Sequence, residues 1–275
     1  MLRNIFCCDS RGNNFDKYEQ PDIKIEYIIV RGATVSSLQR ETLHYLHKYT
    51  DHEEKLNIKV CVGINDLLRK VNGVTTVSDI GVESLFHKLK QFKSVVQSER
   101  PNALFGFVTI PHCSLADYGE FCAQKKNKTK SNPPANVSQN DLVATQSVLN
   151  QKVNDINRML ITENFSATKI GIRPLTVQFH KEILHLHTKR AGKKKKNKTV
   201  HSYHFSRLYD GLHAKSHIKR KWFRSLVQIF KRESNALLPT PNCDYISESE
   251  DNFSDVISDT DSEPTYTCWK RQKYQ

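Results

Sequence analysis

The chain has 275 residues, of which 37% are hydrophobic, enough for one core but not one that runs the whole length. Its formal charge is +13, from 42 Lys+Arg against 29 Asp+Glu, so its field attracts polyanions such as nucleic acid or an anionic membrane surface. No stretch approaches about 18 consecutive apolar residues, which excludes a membrane-spanning helix, and the apolar run in MLRNIFCC is too short for a secretory leader. The seven cysteines are odd in number and contain no Cys-x-x-Cys pair, which argues against a disulfide framework and a cysteine zinc site. Free thiols in a reducing compartment are the consequence, and the expected location is intracellular, cytoplasmic or nuclear.

In chain order, residues 2–8 form a short apolar run that ends at Asp9-Ser10-Arg11-Gly12. Residues 23–30 are rich in β-branched side chains and end at Arg31-Gly32. Residues 34–49 then show helical spacing through Val35, Leu38, Leu43 and Leu46. A third strand is predicted over 56–62, ending at Gly63, a second helix over 77–98, and a fourth strand over 103–110, stopped by Pro111. Strands alternating with helices predict an α/β domain, a parallel sheet covered on both faces. Residues 124–140 read as an exposed polar loop. A long helix comes next over 141–162, with Val148, Val153, Ile156 and Leu160 near one face. Residues 175–186 and 199–205 are strand-like, and 217–232 form a last amphipathic helix with Ile218, Trp222, Leu226, Ile229 and Phe230 inward. One domain is expected over 1–235, and a disordered, acidic, serine-rich tail over 236–275.

Ligands of open parallel sheets bind outside the carboxyl ends of the strands. The first strand here ends in Cys8-Asp9-Ser10, the second leads to Gly32, and the third to Gly63-Ile64-Asn65-Asp66; Asp210-Gly211-Leu212-His213 precedes the last helix. This order of blocks resembles the SGNH superfamily, the GDSL-type esterases and lipases, over about residues 2–232. The family's blocks are Gly-Asp-Ser, a lone Gly, Gly-x-Asn-Asp and Asp-x-x-His. The resemblance implies a three-layer α/β/α fold with a mostly parallel, flavodoxin-like sheet of five strands in the order 2-1-3-4-5. It implies Ser10 as nucleophile, His213 as general base and Asp210 as its orienting carboxylate. The backbone N–H groups of Ser10 and Gly32 and the side-chain amide of Asn65 would form the oxyanion hole. It implies ester hydrolysis with no cofactor, on a small-molecule, lipid or carbohydrate ester that the sequence does not specify. Two departures stand out: Cys8 replaces the family's first glycine, where it either crowds the nucleophile or points into the core, and Arg11-Gly12 comes after the serine.

Other groups carry less. His185-x-His187 and His201-x-x-His204 have no evident carboxylate partner, so no metal is assigned. Residues 189–198 hold seven positive charges in ten positions, with Lys193, Lys194, Lys195 and Lys196 at their centre. Such a run is either a solvated loop or a contact for nucleic-acid phosphates. Esterase domains of this look also occur in proteins encoded by invertebrate retroelements, which would suit such a surface. The alternative function is therefore a catalytically weak SGNH-like domain that acts as a basic nucleic-acid or protein interaction module. Residues 244–263 carry eight acids and no base, and a transient fold-back of this tail onto the basic run is expected.

Overall fold

The computed structural model describes residues 2–18, 21–71, 74–127, 139–166, 171–191 and 196–238. Strand β1 (Leu2–Asp9) is followed by a 3-10 turn at Ser10–Gly12, β2 (Ile25–Val30), helix α1 (Val35–Tyr49) and β3 (Lys55–Cys61). Then come the short α2 (Ile64–Leu67), a hairpin of β4 (Leu68–Val71) and β5 (Val74–Val77), α3 (Val82–Glu99) and β6 (Ala103–Phe107). The second half holds α4 (Leu115–Asn127), α5 (Gln139–Ser166), a hairpin of β7 (Leu184–Ala191) and β8 (Lys196–Tyr203), and α6 (Ser216–Leu237). No helix among the described residues is long and apolar enough to cross a membrane.

The central sheet is parallel, in the order β2-β1-β3-β6. β1 and β3 are buried along nearly their whole length because both of their faces are covered, so even Asn4, Asn57 and Lys59 are inside. Their alternate side chains feed two cores. Ile5, Cys7, Ile58 and Val60 pack with buried residues of α1, α3 and α5, whereas Phe6, Cys8 and Cys61 pack with α6. That second core centres on Trp222, whose ring stacks on Phe179 at 4.8 Å and whose Nε1 donates to the Phe179 carbonyl at 3.0 Å. Full burial of one such side chain contributes about 1.5–3 kcal/mol.

The fold class is as the sequence predicts, but the sheet is narrower. Four strands form its ladder among the described residues, and the fifth is reduced to one parallel bridge, Val108 with Val177. The physical reason lies in α5. Asn164 donates to the Phe107 carbonyl at 2.8 Å and accepts from its N–H at 2.9 Å. Asn157 does the same for Ile110, at 2.8 and 2.6 Å. Gln146 serves the Cys113 carbonyl and the Leu115 N–H at 2.9 and 2.8 Å. Side-chain amides thus take backbone groups that a fifth strand would have paired.

Other expectations shift as well. Val148 is 49% exposed, and Leu149 is the buried residue of that turn. The polar segment 124–140 is helical at both ends, as the close of α4 and the start of α5, and its 128–138 lie outside the described residues. Of the stretches expected as strands, 175–186 and 199–205, Phe179–Glu182 form a 3-10 turn instead, and the strands observed, β7 and β8, extend into the basic run and pair with each other as a separate antiparallel hairpin. Of the basic run, 192–195, and so Lys193, Lys194 and Lys195, lie outside the described residues, while Lys196 opens β8. The acidic tail lies outside them from residue 239 on.

Candidate active site

β1 ends at Asp9, and the chain turns at once into the 3-10 turn that carries Ser10. The Asp9 carboxylate caps this turn by accepting the Arg11 backbone N–H at 3.0 Å. It also holds the Arg11 guanidinium through Nε at 2.8 Å and a terminal nitrogen at 2.7 Å. Both side chains are buried, at 1% and 2% exposure, so the turn that carries Ser10 is pinned by an internal ion pair. The Cys8 side chain sits in the α6 core with Phe6, Phe15 and Cys61 and lies against Gly12 of the turn, where a Cβ would come 3.0 Å from Cys8 Cβ, and burial pushes its thiol pKa up. Of the two roles open to Cys8, the structure takes the small apolar one.

At the other end of the chain, Asp210-Gly211-Leu212-His213 forms a tight turn. Gly211 sits at φ +79°, and a Cβ there would lie 2.5 Å from the Tyr118 nitrogen and 2.6 Å from the Ser114 carbonyl oxygen. Only glycine fits this position. Asp210 Oδ1 accepts the backbone N–H groups of Leu212 at 3.0 Å and His213 at 2.7 Å. Its Oδ2 is 2.7 Å from His213 Nδ1. Burial acts to raise the Asp210 pKa, but the bond from the His213 ring and the two backbone N–H groups outweigh it, and the pKa lies below the usual carboxylate value. His213 Nε2 is 2.9 Å from Ser10 Oγ, across 203 residues of sequence. With Nδ1–H donating to Asp210, Nε2 presents its lone pair to the serine hydroxyl. Tyr209 stacks on the His213 ring at 5.6 Å and 20°.

Gly32 lies in the turn after β2 and Asn65 in α2 after β3, and the two segments touch. The Asn65 amide donates to the Ala33 carbonyl at 2.9 Å, and Asp66 Oδ2 accepts the Val35 N–H at the start of α1, also at 2.9 Å. Gly32 lies at φ +68°, yet a Cβ there would meet nothing within 4 Å. The left-handed backbone favours glycine here. The amide nitrogen of Asn65 keeps its second N–H beyond the Ala33 bond.

Two cavities flank the His213 loop and share Tyr209 and Lys215. One, of about 310 Å³, is bordered by Asp117, Glu120, Phe121 and Asp210. The other, a groove of about 350 Å³, is bordered by Asn14, Lys17, Tyr18 and Lys219. Sequence reading missed Arg11 as the clamp on Asp9 and Tyr209 as the lid on the histidine ring. Only their adjacency to Asp9 and Asp210 could have signalled either.

No family model matches the chain, and no curated protein does. Solved structures do. A member of the lipolytic G-D-S-L family from Veillonella parvula superposes with a TM-score of 0.52 at 9% identity, covering 84% of this chain and all of that one (100%). A protein assigned as an acylhydrolase from Bacteroides fragilis gives 0.51 at 11% identity, covering 86% of this chain and 88% of that one. The parallel sheet, its flanking helices and these superpositions together establish that the chain has the fold of the GDSL-type, or SGNH, hydrolases.

Proposed function

We propose that the chain is a serine hydrolase that cleaves carboxylic esters. The observation that carries this reading is the unbroken relay from Asp210 Oδ2 to His213 Nδ1 at 2.7 Å and from His213 Nε2 to Ser10 Oγ at 2.9 Å. A serine hydroxyl is a weak nucleophile near neutral pH because it must lose its proton as it attacks. Here His213 Nε2 takes that proton while Ser10 Oγ bonds to the ester carbonyl carbon. Asp210 holds the ring in the required tautomer and stabilises the imidazolium that forms. The tetrahedral intermediate carries its negative charge on the former carbonyl oxygen, which the Ser10 N–H, the Gly32 N–H and the Asn65 amide would receive. Removal of one such donor costs about 3–4 kcal/mol in other serine hydrolases. Collapse breaks the carbon–oxygen bond to the alcohol, which leaves with the proton from His213. Water then attacks the acyl-Ser10 carbonyl with His213 again as base, and the carboxylic acid departs.

The test is covalent labelling with a fluorophosphonate together with turnover of p-nitrophenyl butyrate. Wild type should label and turn over, and Ser10→Ala should do neither while it keeps the wild-type melting temperature. Wild type that is inert to both reagents would overturn the reading in favour of an interaction module on a hydrolase fold.

A further inference from the structure

The groove beside Tyr209 has ionisable lining of one sign. Lys17, Lys215 and Lys219 border it with Asn14, Tyr18 and Ser216, and no carboxylate does. None of the three lysines meets a carboxylate at ion-pair distance among the described residues. Lys219 is 9% exposed, and its Nζ donates to the Asn13 carbonyl at 3.1 Å, which uses one of three N–H donors. Burial lowers its pKa, and although Asp210 favours its charged form, that carboxylate already accepts three hydrogen bonds from Leu212 and His213. A partly buried ammonium with N–H donors to spare and no direct counter-charge favours an anion beside it. The start of α6 adds to the field, because the N-terminal end of a helix is its positive end and its N-cap Lys215 makes no side-chain cap.

We propose that this groove is an anion subsite that seats a phosphate or carboxylate group carried on the leaving alcohol of the ester substrate. The assignment to the alcohol side rests on the hydrolase reading. His213 Nε2 returns its proton to the leaving oxygen, so the alcohol lies on the histidine side, where Tyr209, Ala214 and Lys215 form the groove. The oxyanion candidates, after β2 and β3, do not border this groove.

Three aryl acetates test it on the full chain: phenyl acetate, 4-acetoxybenzoate and 4-acetoxyphenyl phosphate. The readout is the ratio of kcat/KM for each anionic ester to that for the neutral one, which cancels general effects on the triad. Lys219→Met refills the buried stem without the charge. It should lower the ratio about tenfold or more, the size of a lost charged hydrogen bond, and added salt should lower it in wild type. The larger drop of the two identifies phosphate or carboxylate as the natural group. An unchanged ratio would overturn the subsite. Binding of phenyl phosphate to Ser10→Ala, measured by calorimetry, reads the groove without turnover. Saturable binding that is lost when Lys17→Ala and Lys215→Ala are added supports the subsite. Absence of binding, or binding of heparin alone, overturns it. A wild type that binds phenyl phosphate but cleaves none of the esters keeps the anion site and removes the hydrolase reading.

Discussion

Asp210 does two jobs with its two oxygens. Oδ1 fixes the turn through two backbone N–H groups, and Oδ2 fixes the tautomer of His213. Asp210→Asn separates these jobs. The amide oxygen can still accept the backbone N–H groups, but its NH2 then faces Nδ1 and forces the proton onto Nε2, pointing it at Ser10. We expect a fall in kcat of about 10⁴ on p-nitrophenyl butyrate with little change in melting temperature. A loss under about tenfold would take Asp210 out of the mechanism. The motif order made Ser10, Asp210 and His213 legible as a set, since the three residue types sit where strand ends converge. Arg11 was not legible. A basic residue after Ser10 reads as solvent-facing, and only its retreat onto Asp9 in three dimensions makes it a buried clamp.

Helix α6 is bound to the sheet by more than its aromatic face. Glu233 is buried against β3, accepting from Lys59 Nζ at 2.5 Å, from Asn57 at 3.0 Å and from the Leu175 N–H at 2.6 Å. Lys59 is wholly buried, and burial lowers its pKa against the pull of Glu233. Glu233→Gln removes the counter-charge and leaves the ammonium inside. It should cost about 3–5 kcal/mol in urea unfolding, whereas Lys59→Met with Glu233→Gln, which removes both charges and keeps an acceptor for Asn57 and the Leu175 N–H, should cost far less. Equal losses from both changes would show that the pair acts through shape instead of charge. The sequence announced α6 and the strands β1, β3 and β6 through periodicity and continuous apolar runs. It hid α4, which has Gly119 and a run of polar residues in it, and the β4–β5 hairpin, whose strands are four residues each. Nor does periodicity distinguish an asparagine that faces solvent from Asn157 and Asn164, which stand in for a strand.

At the scale of the whole molecule, two histidines fold away from water without a proton. Burial, with the nearby His180 and His201, holds His112 down at about 3, and burial with Lys181 holds His180 at about 4. Asn150 and Asn154 favour charged His112, but neither of its buried ring nitrogens has a hydrogen-bond partner of good geometry. The unfolded chain takes up these protons near pH 6.5 and the folded chain does not. Stability is therefore intact above about pH 6.5 and declines as pH falls toward 4, by about 1.4 kcal/mol per pH unit for each histidine. His112→Phe should remove one proton from that slope in urea unfolding series at pH 7, 6, 5 and 4. An unaltered slope would exclude His112 as a source of acid sensitivity.

The amides that close the edge of the sheet also set an order in time. Asn164 is 57 residues downstream of Phe107, whose backbone it covers. At about 5–20 residues per second, β6 leaves the ribosome several seconds before its cover does. In that interval the nascent sheet presents an open edge to neighbouring chains on the same message. The hazard of edge-to-edge association thus belongs to synthesis, and it ends when α5 arrives to occupy the strand's outer groups.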